Sequence, residues 1–145
     1  MSEPTPARLR LGLLLRQAHG RAAAALNDAL TPLNLTGKHF GVLLLLDRDG
    51  SSTQRDLIRE TGSDKAGMVR TVEDLERLGY LSRSRSTRDR RVSDLTLTDA
   101  GQTAFDTARR LAGSAVRELF DSFAPDELDV LEDLLARFVD AGRQG

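Results

Sequence analysis

Cysteine is absent from this 145-residue chain, and so is tryptophan. The first absence excludes disulfides, thiol redox switching, cysteine nucleophiles and cysteine-ligated zinc in one step. Two histidines are too few for a dedicated zinc site without carboxylate help, so neither a metal nor any other cofactor is expected. Aromatic residues make up only 4% of the chain, which leaves a core to be built from Leu, Val and Ala. No apolar run approaches the ~18 residues of a membrane span, and the N-terminus lacks a signal peptide's charged-then-apolar order. The expectation is a soluble, cytoplasmic protein that does not contact a membrane. There is no phosphate-cradling glycine loop, no histidine-glutamate metal signature and no nucleophile beside an evident base, so catalysis is not expected either.

What is present is enough for one folded domain over residues 1–145. Hydrophobic residues form 39% of the chain, which supports a core and argues against disorder. The net charge is −1, but it is segregated. Five arginines (Arg83, Arg85, Arg88, Arg90, Arg91) stand between positions 83 and 91 with one acid, Asp89, whereas the stretch from Asp121 to Gly145 holds seven acids against Arg137 and Arg143. A balanced total therefore conceals a local positive footprint, the feature a nucleic-acid binder needs.

The hydrophobic periodicity is mainly helical. Arg8 to Leu30 reads as a long first helix, with Leu9, Leu13, Leu14, Ala18, Ala22, Ala25 and Leu26 at spacings of three and four. Pro32 and Asn34 end it. Thr36 suits the N-cap of a second helix through Leu46, whose run from Val42 to Leu46 predicts burial on most sides. Asp49-Gly50 is a turn signal. Thr53 suits the cap of a short third helix, Gln54 to Thr61, with Asp56 placed to complete a capping box. Gly62 breaks it. Ser63 is then expected to cap a fourth helix to about Leu78, with Val69, Val72, Leu75 and Leu78 as its buried stripe and Gly79 in the left-handed C-terminal position. A short helix, a glycine turn and a longer helix outline a helix-turn-helix.

After Gly79 the period changes to alternation. Tyr80 to Arg85 and Val92 to Leu97 bracket the arginine-rich loop and read as a β-hairpin, a wing beside the helix-turn-helix. Thr98 suits the cap of a fifth helix to about Phe123, with Gly101 and Gly113 as packing positions. Pro125 suits the first turn of a sixth, Asp126 to Ala141, striped by Leu128, Leu131, Leu134, Leu135 and Phe138.

Three segments carry a family resemblance. Leu75-Glu76-Arg77-Leu78-Gly79-Tyr80-Leu81, the wing motif Asp89-Arg90-Arg91, and Leu97-Thr98-Asp99-Ala100-Gly101 at the start of the fifth helix resemble, in this order and spacing, the MarR (multiple antibiotic resistance regulator) family of winged helix-turn-helix transcription factors. The resemblance implies a mainly α fold with a small β-hairpin wing. A winged helix-turn-helix over residues 36–97 would bind DNA, flanked by dimerisation helices over 8–34 and 98–141. It also implies a dimeric transcription regulator of a palindromic operator, usually a repressor, relieved by a small anionic or aromatic effector.

The residues fit that expectation physically. A helix fits the major groove, where base edges are distinguishable. The fourth helix is expected to present Ser63, Lys65, Ala66, Gly67, Arg70 and Thr71 there. Arg70 is the candidate base reader, since its fork can bond a guanine edge in two places. Lys65, Ser63 and the free N–H groups of the first turn suit phosphates, Gly67 close approach, and Ala66 or Thr71 a thymine methyl. The alternative is a solvated helix face, with Arg70 paired to Glu73 or Asp74. Asp64, near the helix start, would repel a phosphate. In the wing, the resemblance makes Arg91 the guanidinium that enters the minor groove, oriented by Asp89, with Arg88 and Arg90 on flanking phosphates.

The apolar stripes of the first and sixth helices exceed what a small winged helix covers, and burial against a second copy is the economical solution. Leu9, Leu13, Phe123, Leu128, Leu131, Leu135 and Phe138 are the expected homodimer interface, with intrachain packing as the alternative. Two such copies would read half-sites about one helical turn, ~34 Å, apart. By the resemblance, Arg16, His19, His39 and Phe40 are candidates for the effector cleft, against the plainer reading of structural histidines. The rival to DNA binding is a winged-helix protein-interaction module.

Overall fold

A computed structural model describes residues 7–143 of the chain, so the ends of the expected 1–145 span, residues 1–6 and 144–145, lie outside the described residues. The elements run α1 (Leu9–Leu30), a 3-10 turn (Thr31–Leu33), α2 (Gly37–Asp49), β1 (Ser52–Thr53), α3 (Gln54–Thr61), α4 (Lys65–Arg77), β2 (Leu81–Arg85), β3 (Ser93–Leu97), α5 (Asp99–Leu119) and α6 (Pro125–Arg143). This is the mainly helical, winged helix-turn-helix architecture, with long helices on either side of it. No helix among the described residues is long and apolar enough to cross a membrane.

Local chemistry explains the boundaries. Pro32 lies in the turn after α1, and Asn34 closes it in the left-handed region (φ 56°). The Gly37 N–H donates to Asn27 Oδ1 at 2.7 Å, which ties the end of α1 to the start of α2. Helix α2 runs past the expected Leu46 to Asp49, where Gly50 at φ 80° ends it. Its apolar run is not buried on most sides: Val42, Leu43 and Leu46 face the core, while Leu44 is exposed.

Thr53 caps α3 through Asp56 N–H, at 3.1 Å. Of the expected capping box only this forward half forms, because the Asp56 carboxylate bonds Arg59 instead, at 2.8 Å. Thr53 also belongs to β1, which adds a third strand to the expected hairpin. The sheet order is β1-β3-β2, all antiparallel, with Ser52 opposite Leu95 and Leu81 opposite Leu97. A two-residue strand has too little alternation to be visible in the sequence.

Helix α4 ends in a Schellman motif around Gly79 (φ 80°). The Tyr80 N–H donates to Leu75 O and the Gly79 N–H to Glu76 O, both at 2.9 Å. The buried face of α4 is shifted from the expected one. Met68, Thr71, Val72 and Leu75 are buried, whereas Leu78 is 43% exposed and Val69 only half-buried.

Thr98 is the joint between the wing and α5. Its N–H donates to Tyr80 O at 3.1 Å, its hydroxyl donates to Gly79 O at 2.6 Å, and the same oxygen accepts the Gly101 N–H at 3.0 Å. Gly101 packs against the Tyr80 carbonyl so closely that a side-chain carbon would collide with it. Gly113, expected to be a second packing glycine, meets nothing nearer than the Arg117 guanidinium at 3.9 Å. Helix α5 stops at Leu119 rather than near Phe123. The Phe123 N–H turns back to Phe120 O at 3.0 Å, and Pro125 disfavours helical backbone at Ala124 before opening α6.

The core is continuous through the winged helix, joining Leu43 and Leu46 of α2, Leu57 of α3, Val72 and Leu75 of α4, Leu95 of β3 and Phe105 of α5. Helix α1 lies along α5 but buries only Leu30, and α6 buries no residue.

Candidate nucleic-acid interface

The start of α4 is built differently from the sequence expectation. Asp64, not Ser63, is the N-cap, and its carboxylate accepts the Gly67 N–H at 2.6 Å. Ser63 turns its hydroxyl onto Asp64 O at 3.1 Å. The chain's own carboxylate thus takes the Gly67 N–H and sets a negative charge at this helix start, which opposes the expected phosphate contact through Ser63 and the remaining first-turn N–H groups. Gly67 is buried because the cap needs it: a methyl there would lie 2.8 Å from Asp64 Oδ1. Thr71 is also buried, with its hydroxyl on Gly67 O at 3.0 Å. Gly67 and Thr71 therefore leave the groove-facing set; they sit on the core side of the helix.

Turning 100° per residue, Ala66, Arg70, Glu73 and Arg77 form the ridge opposite Met68, Val72 and Leu75. All four are exposed, as is Lys65. Arg70 has no ion pair among the described residues, so the alternative pairing with Glu73 or Asp74 does not form. Asp74 is committed elsewhere, at 2.9 Å from His39 Nε2 and 3.3 Å from Arg77 Nη1. The His39 hydrogen bond, with the Arg77 charge behind it, holds the Asp74 carboxyl below its ordinary pKa. His39 Nδ1 accepts the Thr36 N–H at 2.9 Å, which puts the proton of the neutral ring on Nε2. His39 thus fastens the start of α2 to the recognition helix, and fills the back-bonding place usually held by Glu or Gln.

The wing loop is ordered by a residue the sequence reading passed over. Ser86 is buried, and its hydroxyl accepts the Arg88 N–H at 3.2 Å and the Asp89 N–H at 3.4 Å. Val92 N–H then donates to Asp89 O at 3.0 Å. The alternation of the strand predicts an outward Ser86, and only the turn's inward backbone donors reveal its role. Asp89 Oδ1 accepts both the backbone N–H (3.0 Å) and Nε (3.3 Å) of Arg91. These bonds, the backbone one first, lower the Asp89 pKa. The Arg91 side chain itself is 90% exposed. Arg83 differs from its neighbours: its guanidinium lies 2.8 Å from Glu76 of α4, which raises its pKa and ties β2 to the recognition helix.

The four candidate effector residues are not brought together within one chain. Arg16 and His19 are exposed on α1, His39 is bonded to Asp74, and Phe40 stacks on Phe105 with ring centroids 5.8 Å apart. A groove of about 450 Å³ between α2 and α4 takes in His39, Lys38, Arg70 and Arg77 but not Arg16, His19 or Phe40. Of the expected interface residues, Leu9 (81%), Leu13, Phe123, Leu135 and Phe138 (63%) are exposed in the single chain, while Leu128 and Leu131 are half-buried.

Comparison with known proteins fits this geometry. A family model described as MarR family matches residues 33–92. The chain is 29% identical over 96 residues to the uncharacterized HTH-type transcriptional regulator YdgJ of Bacillus subtilis, a match covering 66% of this chain and 58% of that relative. A mutant MarR from E. coli complexed with operator DNA is 25% identical with a TM-score of 0.81, over 94% of this chain and 99% of that one. BpsR from Bordetella bronchiseptica, whose DNA binding is regulated by 6-hydroxynicotinic acid, is 27% identical with a TM-score of 0.82, over 95% and 99%.

Proposed function

Because the chain, through residues 33–92, belongs to the MarR family, and its architecture matches that of solved members over about nine-tenths of its length, we propose that it is a sequence-specific double-stranded DNA-binding transcription regulator. The observation that carries this reading is the wing: Arg91 projects, 90% exposed, from a turn that Asp89 and Ser86 hold in one conformation. A guanidinium so presented suits the narrow, electronegative minor groove. Arg88 and Arg90 stand beside it for phosphates, and α4 offers Ala66 and Arg70, with Lys65 at the flank, to the major groove. Residues 36–97 form the DNA-binding region, and residues 8–34 and 98–141 the dimerisation helices. The exposed apolar residues of α1 and α6 support burial against a second copy, and two-fold symmetry then makes the operator a pseudo-palindrome. The protein is a repressor that works in the cytoplasm and is not an enzyme. BpsR's response to 6-hydroxynicotinic acid supports a small anionic or aromatic effector here also.

The test is a fluorescence-anisotropy titration of the full chain against its own upstream intergenic DNA and a scrambled control, at two salt concentrations. Selective binding that weakens steeply with salt is expected. Arg91→Ala should cost ~1 kcal/mol or more, about fivefold in Kd. Equal, salt-insensitive binding to both DNAs, or an unchanged Kd for Arg91→Ala, would overturn the reading or the assignment of Arg91 respectively.

A further inference from the structure

The recognition helix carries four acids, and three of them are spent inside the protein. Asp64 caps the helix, Asp74 holds His39 and Arg77, and Glu76 holds Arg83. Glu73 has no hydrogen bond or ion pair among the described residues, and it lies on the ridge opposite the core beside Arg70. Arg83 is near enough to feel its charge but is bonded to Glu76. A free carboxylate on the face that meets a polyanion raises the cost of binding unless the groove offers it a donor.

We propose that Glu73 is a specificity-determining residue that accepts from the exocyclic amino group of a cytosine next to, or one step from, a guanine read by Arg70. This inference rests on α4 entering the major groove. Two donors exist on the base edges there, cytosine N4 and adenine N6. Adenine presents its N7 acceptor beside N6 and repels a carboxylate, whereas cytosine has no acceptor on that edge, so cytosine is the fitting partner. The axial offset agrees. Three residues along a helix advance ~4.5 Å, between one and two base-pair steps of ~3.4 Å. Arg70 and Glu73 thus form a donor and an acceptor at the spacing of neighbouring base pairs. Any other base at that position would leave a desolvated, unpaired carboxylate, so Glu73 discriminates mainly by exclusion.

The experiment is random-sequence selection with the full-length wild type, Glu73→Gln and Glu73→Ala, followed by Kd measurement on the selected sites. Wild type should select a cytosine at one position of each half-site, near a guanine, and lose about tenfold when that cytosine is replaced. Glu73→Gln should move the preference there to adenine, which offers the N6 and N7 pair an amide needs. Glu73→Ala should leave it degenerate with the rest of the site unchanged. If wild type selects a site but both variants select the same one and merely bind all DNA more tightly, Glu73 is only a repulsive charge and the proposal fails alone. If wild type selects no site, the DNA-regulator reading fails and takes the proposal with it.

Discussion

Replacing Gly101 by alanine tests the joint on which the DNA-binding geometry hangs. The added carbon would collide with the Tyr80 carbonyl oxygen, and would lie 2.8 Å from its carbon and 3.1 Å from its Cα. These are backbone atoms, so no rotamer relieves the clash. To reach ordinary contact, the start of α5 must retreat by about an ångström from the Gly79–Tyr80 segment. That retreat breaks or stretches the bonds from Thr98 N–H to Tyr80 O (3.1 Å) and from the Thr98 hydroxyl to Gly79 O (2.6 Å). Two hydrogen bonds contribute ~0.5–1.5 kcal/mol each, and overpacking costs ~1–3 kcal/mol. Alanine's helix propensity returns ~1 kcal/mol. The net destabilisation is ~3 kcal/mol, a fall in Tm of roughly 10 °C for a chain of this size. Thermal unfolding followed by far-UV circular dichroism measures it, at one fixed protein concentration because a dimer's Tm varies with concentration. Gly41→Ala is the reference, since its added carbon meets nothing within 4 Å and should stabilise by up to ~1 kcal/mol. A Gly101→Ala protein melting within about 2 °C of wild type would show that the contact is not the constraint described.

Asp64→Ala should lower the unfolding free energy in urea by ~1 kcal/mol through loss of the α4 cap, with Asp64→Ser retaining most of it; equal stability of Asp64→Ala and wild type would remove Asp64 from that role. The Asp74 carboxyl has a depressed pKa, so its contribution is present above the ordinary carboxylate range and is lost as the pH falls through the depressed folded value. Wild type should therefore exceed Asp74→Asn in stability at neutral pH and converge with it as the pH falls below the ordinary carboxylate range; a gap independent of pH would mean that the His39 contact acts through packing alone. Phe138, 63% exposed in the single chain, is proposed to lie at the interface between copies. Phe138→Ser should weaken the dimer by ~2 kcal/mol or more, seen by light scattering as a rise in the monomer fraction on dilution, and an unchanged mass profile would move the interface elsewhere.

Elements with strong local signals were legible in the sequence. α3 lies where Thr53 and Gly62 predict it, and the change from helical to alternating period after Gly79 marks the wing. What was not legible depends on tertiary partners. Ser63 and Asp64 are both good caps, and only the fold decides that the carboxylate meets Gly67 N–H. The α4 stripe was misplaced by about one position, since Val69 and Leu78 are apolar yet Met68 and Thr71 turn inward. The same one-position turn carries Gly67 and Thr71 to the core side. Arg16, His19, His39 and Phe40 are residue types that suit a cleft, but Phe40 and His39 already have partners in Phe105 and Asp74. Two-residue β1 and inward Ser86 leave no periodic trace at all.

The contacts also decide which motions are open to a regulator built this way. Glu76–Arg83 ties α4 to β2, His39–Asp74 ties α4 to α2, and Thr98 and Gly101 tie the Gly79–Tyr80 turn between α4 and β2 to the start of α5. The recognition helix and the wing thus share one core through Leu75, Leu81 and Leu95, to which the partly exposed Glu76–Arg83 pair adds little. No comparable set of bonds holds α6, whose one hydrogen bond to α3 among the described residues is Arg143 to Glu60 at 3.4 Å, between partly exposed side chains worth little. In a dimer held through α1 and α6, as proposed above, a ligand that shifted those helices would change the separation of the two winged helices. Half-sites lie at a fixed spacing on DNA, so a change in separation alone reduces affinity for the operator. The effect should then fall on the affinity of the whole dimer and leave the base preference of each half-site unchanged.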